Sequence, residues 1–277
     1  MPIAECPPVF LMPSLPLLEH LAPFLLVLFR LSGLFIFAPI LASTTIPAKF
    51  RALICFMFAV AIYPTIPSAQ MRPIELDLFV LGPAIVAETL IGLAIGLLAA
   101  LPLFAVQLGG MIMSQQAGMS LGTVYNPALE TDTDILGQFL QYSAMVIFIS
   151  MGGLEILFLA CTKTFASVPV GQALSLGAAG LSPIDLFTGL VASGFNLALR
   201  VASPVLCIIF IETVVSALVM KTMPQLNIMS IGFAVKIVAT MLALIAGYAA
   251  IGEVLSDDLN ETLGQVLRWA ESLAVPK

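Results

Sequence analysis

Long runs of hydrocarbon side chains, most interrupted by a single ionisable residue, constrain this chain more than any other feature. Several runs exceed the roughly 18 apolar residues that mark a membrane-spanning helix. A charge within such a run is costly in hydrocarbon, so it must pair or face a polar interior. The charges concerned are Arg30, Glu88, Glu155, Arg200 and Lys236. Composition agrees. Of 277 residues, 60% are hydrophobic and 9% charged, whereas a soluble domain carries about 25% charged residues. The expected fold class is all-α and membrane-associated. The net charge of −6 sits largely in loops and at the C-terminal end. No basic patch of the kind a nucleic-acid binder needs is visible.

The chain parses into six apolar segments, at about 17–41, 52–63, 78–106, 135–165, 186–220 and 228–251. The second ends at Pro64 and is expected to be too short to cross a bilayer straight. Between the last two segments, Pro224 disfavours helix at Met223 and Asn227 can cap the next helix. A sharp break is expected there, with Gln225 and Asn227 satisfying exposed backbone or contacting a partner. In the tail, Leu255, Leu259, Leu263, Val266 and Leu267 fall near one face with acids on the other, which reads as an amphipathic helix. Basic residues in the connections show no clear positive-inside bias, so orientation stays open.

The neighbours of the isolated charges share their faces. Glu88, Gly92 and Gly96 lie four apart, and "GLAIG" is a Gly-x-x-x-Gly motif that lets another backbone approach. Gly232, Lys236 and Thr240 repeat the pattern, as do Asn196 and Arg200. Such charges serve either as an ion path or as structural pairs, within the chain or to partner subunits. The acids are not clustered as a relay, which favours the structural role.

Little points to catalysis. His20 is the lone histidine, and Cys6, Cys55, Cys161 and Cys207 have no metal or redox spacing. Motifs of zinc hydrolases, serine hydrolases and phosphate-binding loops do not occur. No enzyme activity, metal or cofactor is expected. "MPIAECPPVF" lacks a basic n-region, so a secretory signal peptide is not expected either.

One stretch, "QLGGMIMSQQAGMS", departs from its surroundings. It is too polar to face lipid and too apolar for an ordinary loop. Non-helical backbone at membrane depth is tolerated only where it is buried in protein or lines a cavity. The residues alone leave two readings, a re-entrant packing loop or a soft closure.

Motifs around the breaks carry a resemblance. "FRLSGLFIFAPILASTTIPAKFRALI", "AETLIGLAIGLL", "GGMIMSQQAGMSLGTVYNP", "FASVPVG" and "MPQLNIMSIGFAVKI" occur in the order found in the FliR family, called SctT in virulence systems. That family belongs to the export gate of type III protein secretion. "DTDILGQF" and the late motif look more like its flagellar branch. In the fourth segment, where the family often has histidine, this chain has Leu154 beside Glu155, so no role of that histidine carries over.

The resemblance implies one domain over 1–277, with N-terminal helices to 106, a plug loop and connector over 107–134, C-terminal helices over 135–252, and the tail from 253. It implies assembly into a helical funnel in the bacterial inner membrane, at the flagellar basal body. FliP-like and FliQ-like subunits would form the pore, with FlhB-like and FlhA-like proteins nearby and unfolded proteins as cargo. Residues 110–125 would form the plug. Gly109, Gly110, Gly118 and Gly122 would be its bending points. Met111, Met113 and Met119 would give compliant contacts, and Gln115 and Gln116 would hold the closed form by hydrogen bonds. Arg30, Glu88, Gly92, Gly96, Arg200, Gln225, Asn227 and Lys236 would serve helix or subunit contacts. The alternatives are a small secondary transporter, which also uses broken helices and midplane charges, or a scaffold of another membrane complex. "ETLIGLAIG" and "ETVVSALVM" echo each other only faintly and make no convincing inverted repeat.

Overall fold

The computed structural model describes residues 16–43, 46–67, 78–119, 134–171, 183–222 and 228–272. Among these residues lie seven α-helices: α1 (Pro16–Phe37), α2 (Ala48–Ile62), α3 (Leu78–Gln116), α4 (Ile135–Ser150), α5 (Gly153–Ser167), α6 (Pro183–Thr222) and α7 (Ile228–Ser272). A 3-10 turn, Tyr63–Thr65, extends α2.

A helix apolar on all sides has no solvent stripe and belongs inside. The third helix fits that description. Within Leu81–Gln116, 61% is buried, against 22% in the apolar windows of α6 and α7. So α3 is the central post, with α1, α4, α6 and α7 packed around it. Lipid gives helices no hydrophobic drive to associate, so close backbone contact carries much of the packing. Glycines supply it between α1 and α3. A methyl at Gly92 would overlap the Arg30 carbonyl oxygen, and one at Gly33 would overlap that of Thr89. At Gly96 it would stand 2.7 Å from the Leu34 carbonyl oxygen.

Two expectations are corrected. The second segment begins earlier than expected, after Pro47, and continues through the 3-10 turn. Ala48–Thr65 is then 18 residues, long and apolar enough to cross a membrane by length and composition. The fourth segment is broken into α4 and α5, bent by 64°. Gly152 causes the bend with φ +72°, the left-handed region in which glycine carries no steric penalty. The neighbouring Gly153 leaves room for the Phe148 ring. The tail is helical, as expected, and continues the sixth segment without a break. The last helix runs unbroken for 45 residues, and its Leu255, Leu259, Leu263 and Val266 are buried, with α5 packed against it. Lys163 on α5 pairs with Glu271 at 2.5 Å.

Among the described residues, five helices are long and apolar enough to cross a membrane, or up to six spans if the bent pair counts as one. The three longest have 39, 40 and 45 residues, hence about 58, 60 and 68 Å at about 1.5 Å per residue. The hydrocarbon core is about 30 Å thick. These helices therefore tilt steeply or rise well out of the bilayer.

Candidate functional site

Two places concentrate polar chemistry in this apolar frame. The first is a buried charge network. Arg30 on α1 and Glu88 on α3 are both 0% exposed. The Arg30 Nε donates to Glu88 Oε2 at 2.5 Å. One Nη donates to Thr164 Oγ1 at 3.1 Å, and the other to the Val168 carbonyl at 3.2 Å. The guanidinium carbon also lies 4.2 Å from the centroid of the Phe165 ring, within cation–π range. The second carboxylate oxygen, Oε1, accepts from the Gly171 N–H at 2.9 Å. The Thr164 hydroxyl in turn donates to the Cys161 carbonyl at 2.6 Å.

Burying a pair of ions is worthwhile only when geometry is good and the remaining donors and acceptors are met. Here all three guanidinium nitrogens and both carboxylate oxygens are engaged. The network ties α1, α3, α5 and the turn after α5 together.

The second place is the end of α3. The loop expected from residue 107 begins later, because the helix continues to Gln116. Gly109 and Gly110 are therefore not bends. They are contact points: a methyl at Gly109 would lie 2.8 Å from the Ala198 carbonyl oxygen of α6, and one at Gly110 would lie 2.5 Å from Gly137 Cα of α4. The helix stops at Gly118, where φ is +81°. Gly118 N–H returns to the Gln115 carbonyl and Met119 N–H to that of Ser114, both at 3.1 Å. This pair of bonds is the Schellman ending, which favours glycine. Met113 is fully buried and Ser114 nearly so. Met111, Gln115 and Gln116 are exposed, and Met119 is half-buried.

The structure brings Arg30, Glu88, Gly92 and Gly96 together at one interface. Arg200 on α6 is exposed and Lys236 on α7 half-exposed. Among the described residues neither side chain has an ion pair. Gly122, Gln225 and Asn227 lie outside the described residues. Sequence reasoning missed Gly33, Thr164, Val168 and Gly171. "RLSG" carried a signal for Gly33, which lies three residues after Arg30 and so shares its face. Nothing pointed to Thr164, and Val168 contributes only a backbone carbonyl.

The family model described as bacterial export proteins, family 1, matches residues 21–262. Among curated proteins, the chain is 27% identical to the flagellar biosynthetic protein FliR of Bacillus subtilis (strain 168) over 245 residues, covering 87% of this chain and 91% of that one. It is 27% identical to the Yop proteins translocation protein T of Yersinia pestis over 227 residues, 81% and 85% of the two chains. With FliR of Escherichia coli (strain K12) it shares 27% over 249 residues, 84% and 91%.

Proposed function

The chain belongs to the bacterial export proteins, family 1, and from that membership we propose that it is a structural and gating subunit of a type III protein export gate. It is a membrane-embedded component of the export apparatus. The match over residues 21–262 carries the reading. In this reading FliP-like and FliQ-like subunits complete the pore, FlhB-like and FlhA-like proteins stand at its entrance, and unfolded proteins pass through. The flagellar branch and a place in the inner membrane at the basal body are part of the same proposal. Nothing in it calls for catalysis by this chain. Affinity purification in mild detergent tests it. FliP-like and FliQ-like subunits are expected to accompany the chain. A homo-oligomer that moves small solutes after reconstitution would overturn the reading in favour of a transporter.

The gating role rests on the end of α3. A pore for chains of any sequence works poorly with strong charge or tight shape, and residues 110–125 carry no charge. Methionine adapts to irregular surfaces. Exposed Gln115 and Gln116 offer uncharged hydrogen bonds to neighbours, each worth roughly 0.5–1.5 kcal/mol net. Such weak contacts suit a closure that yields without a large input. Deleting 119–125, beyond the buried Met113, is expected to leave the complex assembled but leaky to small ions, as read by membrane conductance. Complexes that stay sealed and export at the wild-type rate would reduce the stretch to packing.

A further inference from the structure

Resting on the reading of this chain as an export-gate subunit, we infer that the outer face of α6 from Asn196 to Cys207 docks an apolar helix of a neighbouring subunit, one that places a carboxylate opposite Arg200.

One face of α6 is spoken for. Ala198, Val201, Ala202, Val205 and Ile209 are buried. On the opposite face Asn196, Arg200, Ser203 and Cys207 are exposed, at spacings of four, three and four that align them in one stripe. Further along, the same stripe becomes Phe210, Ile211, Val214 and Leu218, all exposed and large. One helix face thus changes character partway along. Hydrocarbon suits the second half. It does not suit the first, where a guanidinium would be left in lipid.

Two other surroundings for the first half fare worse than a protein helix. A water-filled passage would solvate Arg200, but Phe195 and Leu199 flank the stripe at 57% and 55% exposure, and water gains nothing from them. A direct ion pair within the chain does not answer it either. Asp258 on α7 lies within electrostatic reach of Arg200 without forming a direct ion pair among the described residues. An apolar helix answers all of this. Its side chains cover Phe195 and Leu199, the small residues at 203 and 207 let its backbone come close, and an acid at its middle takes the fork of guanidinium donors. Ser203 already donates to the Arg200 carbonyl at 3.0 Å, so it adds closeness rather than a free donor.

The test is a photo-crosslinking residue at Asn196, with Val214 as control, in the complex purified from membranes. The Asn196 adduct is expected on an apolar segment of another subunit that contains Asp or Glu. Arg200→Glu is expected to lower its yield by about tenfold or more, since it sets two like charges opposite each other in the contact. Arg200→Lys is expected to keep most of the yield. Changing the mapped acid to Lys is expected to restore the adduct in Arg200→Glu. Adducts to lipid alone, adducts to a segment without an acid, or an unchanged yield in Arg200→Glu would each overturn the inference. So would labelling by a membrane-impermeant maleimide of a cysteine placed at Asn196, in an assembled complex otherwise free of cysteine. If the acid-bearing adduct forms in a complex lacking export-type subunits, the docking surface stands and the functional reading falls.

Discussion

Glu88→Leu is expected to remove most of the protein from the membrane fraction and to abolish export. The substitution leaves Arg30 buried without its counter-charge, which costs about 3–5 kcal/mol. It also takes the acceptor from the Gly171 N–H. Arg30→Leu is expected to be about as harmful, because it strands Glu88. The double replacement Arg30→Met with Glu88→Leu is expected to recover much of the loss, since apolar groups of similar volume often replace a buried pair at little cost. Exchanging the charges, Arg30→Glu with Glu88→Arg, is expected to fail. Thr164 and Val168 present oxygens to the α1 side, and Gly171 presents an N–H to the α3 side, so each new charge would meet the wrong partner. Accumulation in membranes and the thermal midpoint in detergent read all four variants. A double variant as damaged as the singles would show that the network is not the coupled unit described above.

Gly92→Val is expected to be nearly as severe, by a different route. Its Cβ would occupy the place of the Arg30 carbonyl oxygen, so α1 has to move away from α3. Overpacking typically costs about 1–3 kcal/mol and sometimes more. Here the displacement also lengthens the Arg30–Glu88 contact, so the two losses combine. Gly247→Ala on α7 is the control, because a methyl there meets nothing within 4 Å and no proline follows it. Alanine exceeds glycine in helix preference by about 1 kcal/mol, so Gly247→Ala is expected to be neutral or mildly stabilising. Equal accumulation of the two variants would sink the close-approach account.

Much of the fold was legible because hydrocarbon leaves few options. The apolar segments become helices, and a lone Arg or Glu within one must find a partner. The face shared by Glu88, Gly92 and Gly96 was readable from spacing alone. The identity of the partner was not: Arg30 is 58 residues from Glu88, and Thr164 is 134 from Arg30, and no local pattern encodes such distances. The breaks were read less well. "MGG" at 151–153 contained the bend between α4 and α5, but its run of apolar neighbours looked continuous. At Gly109 and Gly110 the error ran the other way. Glycines were read as flexibility where they serve contact, a difference decided by Ala198 and Gly137 on other helices. Gly118, taken as a bending point, does adopt the left-handed conformation, though as the stop of a helix.

The Arg30–Glu88 clasp also sets a schedule for making the protein. Each partner lies in a different helix that is long and apolar enough to cross a membrane. A lone arginine at the centre of an inserting helix costs about 2.5–3.5 kcal/mol on translocon scales. Glu88 follows Arg30 by 58 residues, and at about 5–20 residues per second of synthesis that is a wait of roughly 3–12 s. During that interval α1 carries an unneutralised charge, and the next helix to arrive, α2, brings no acid. That charge favours retention of the first two helices beside the insertion machinery until α3 emerges, after which the three can leave for the lipid with Arg30 and Glu88 paired.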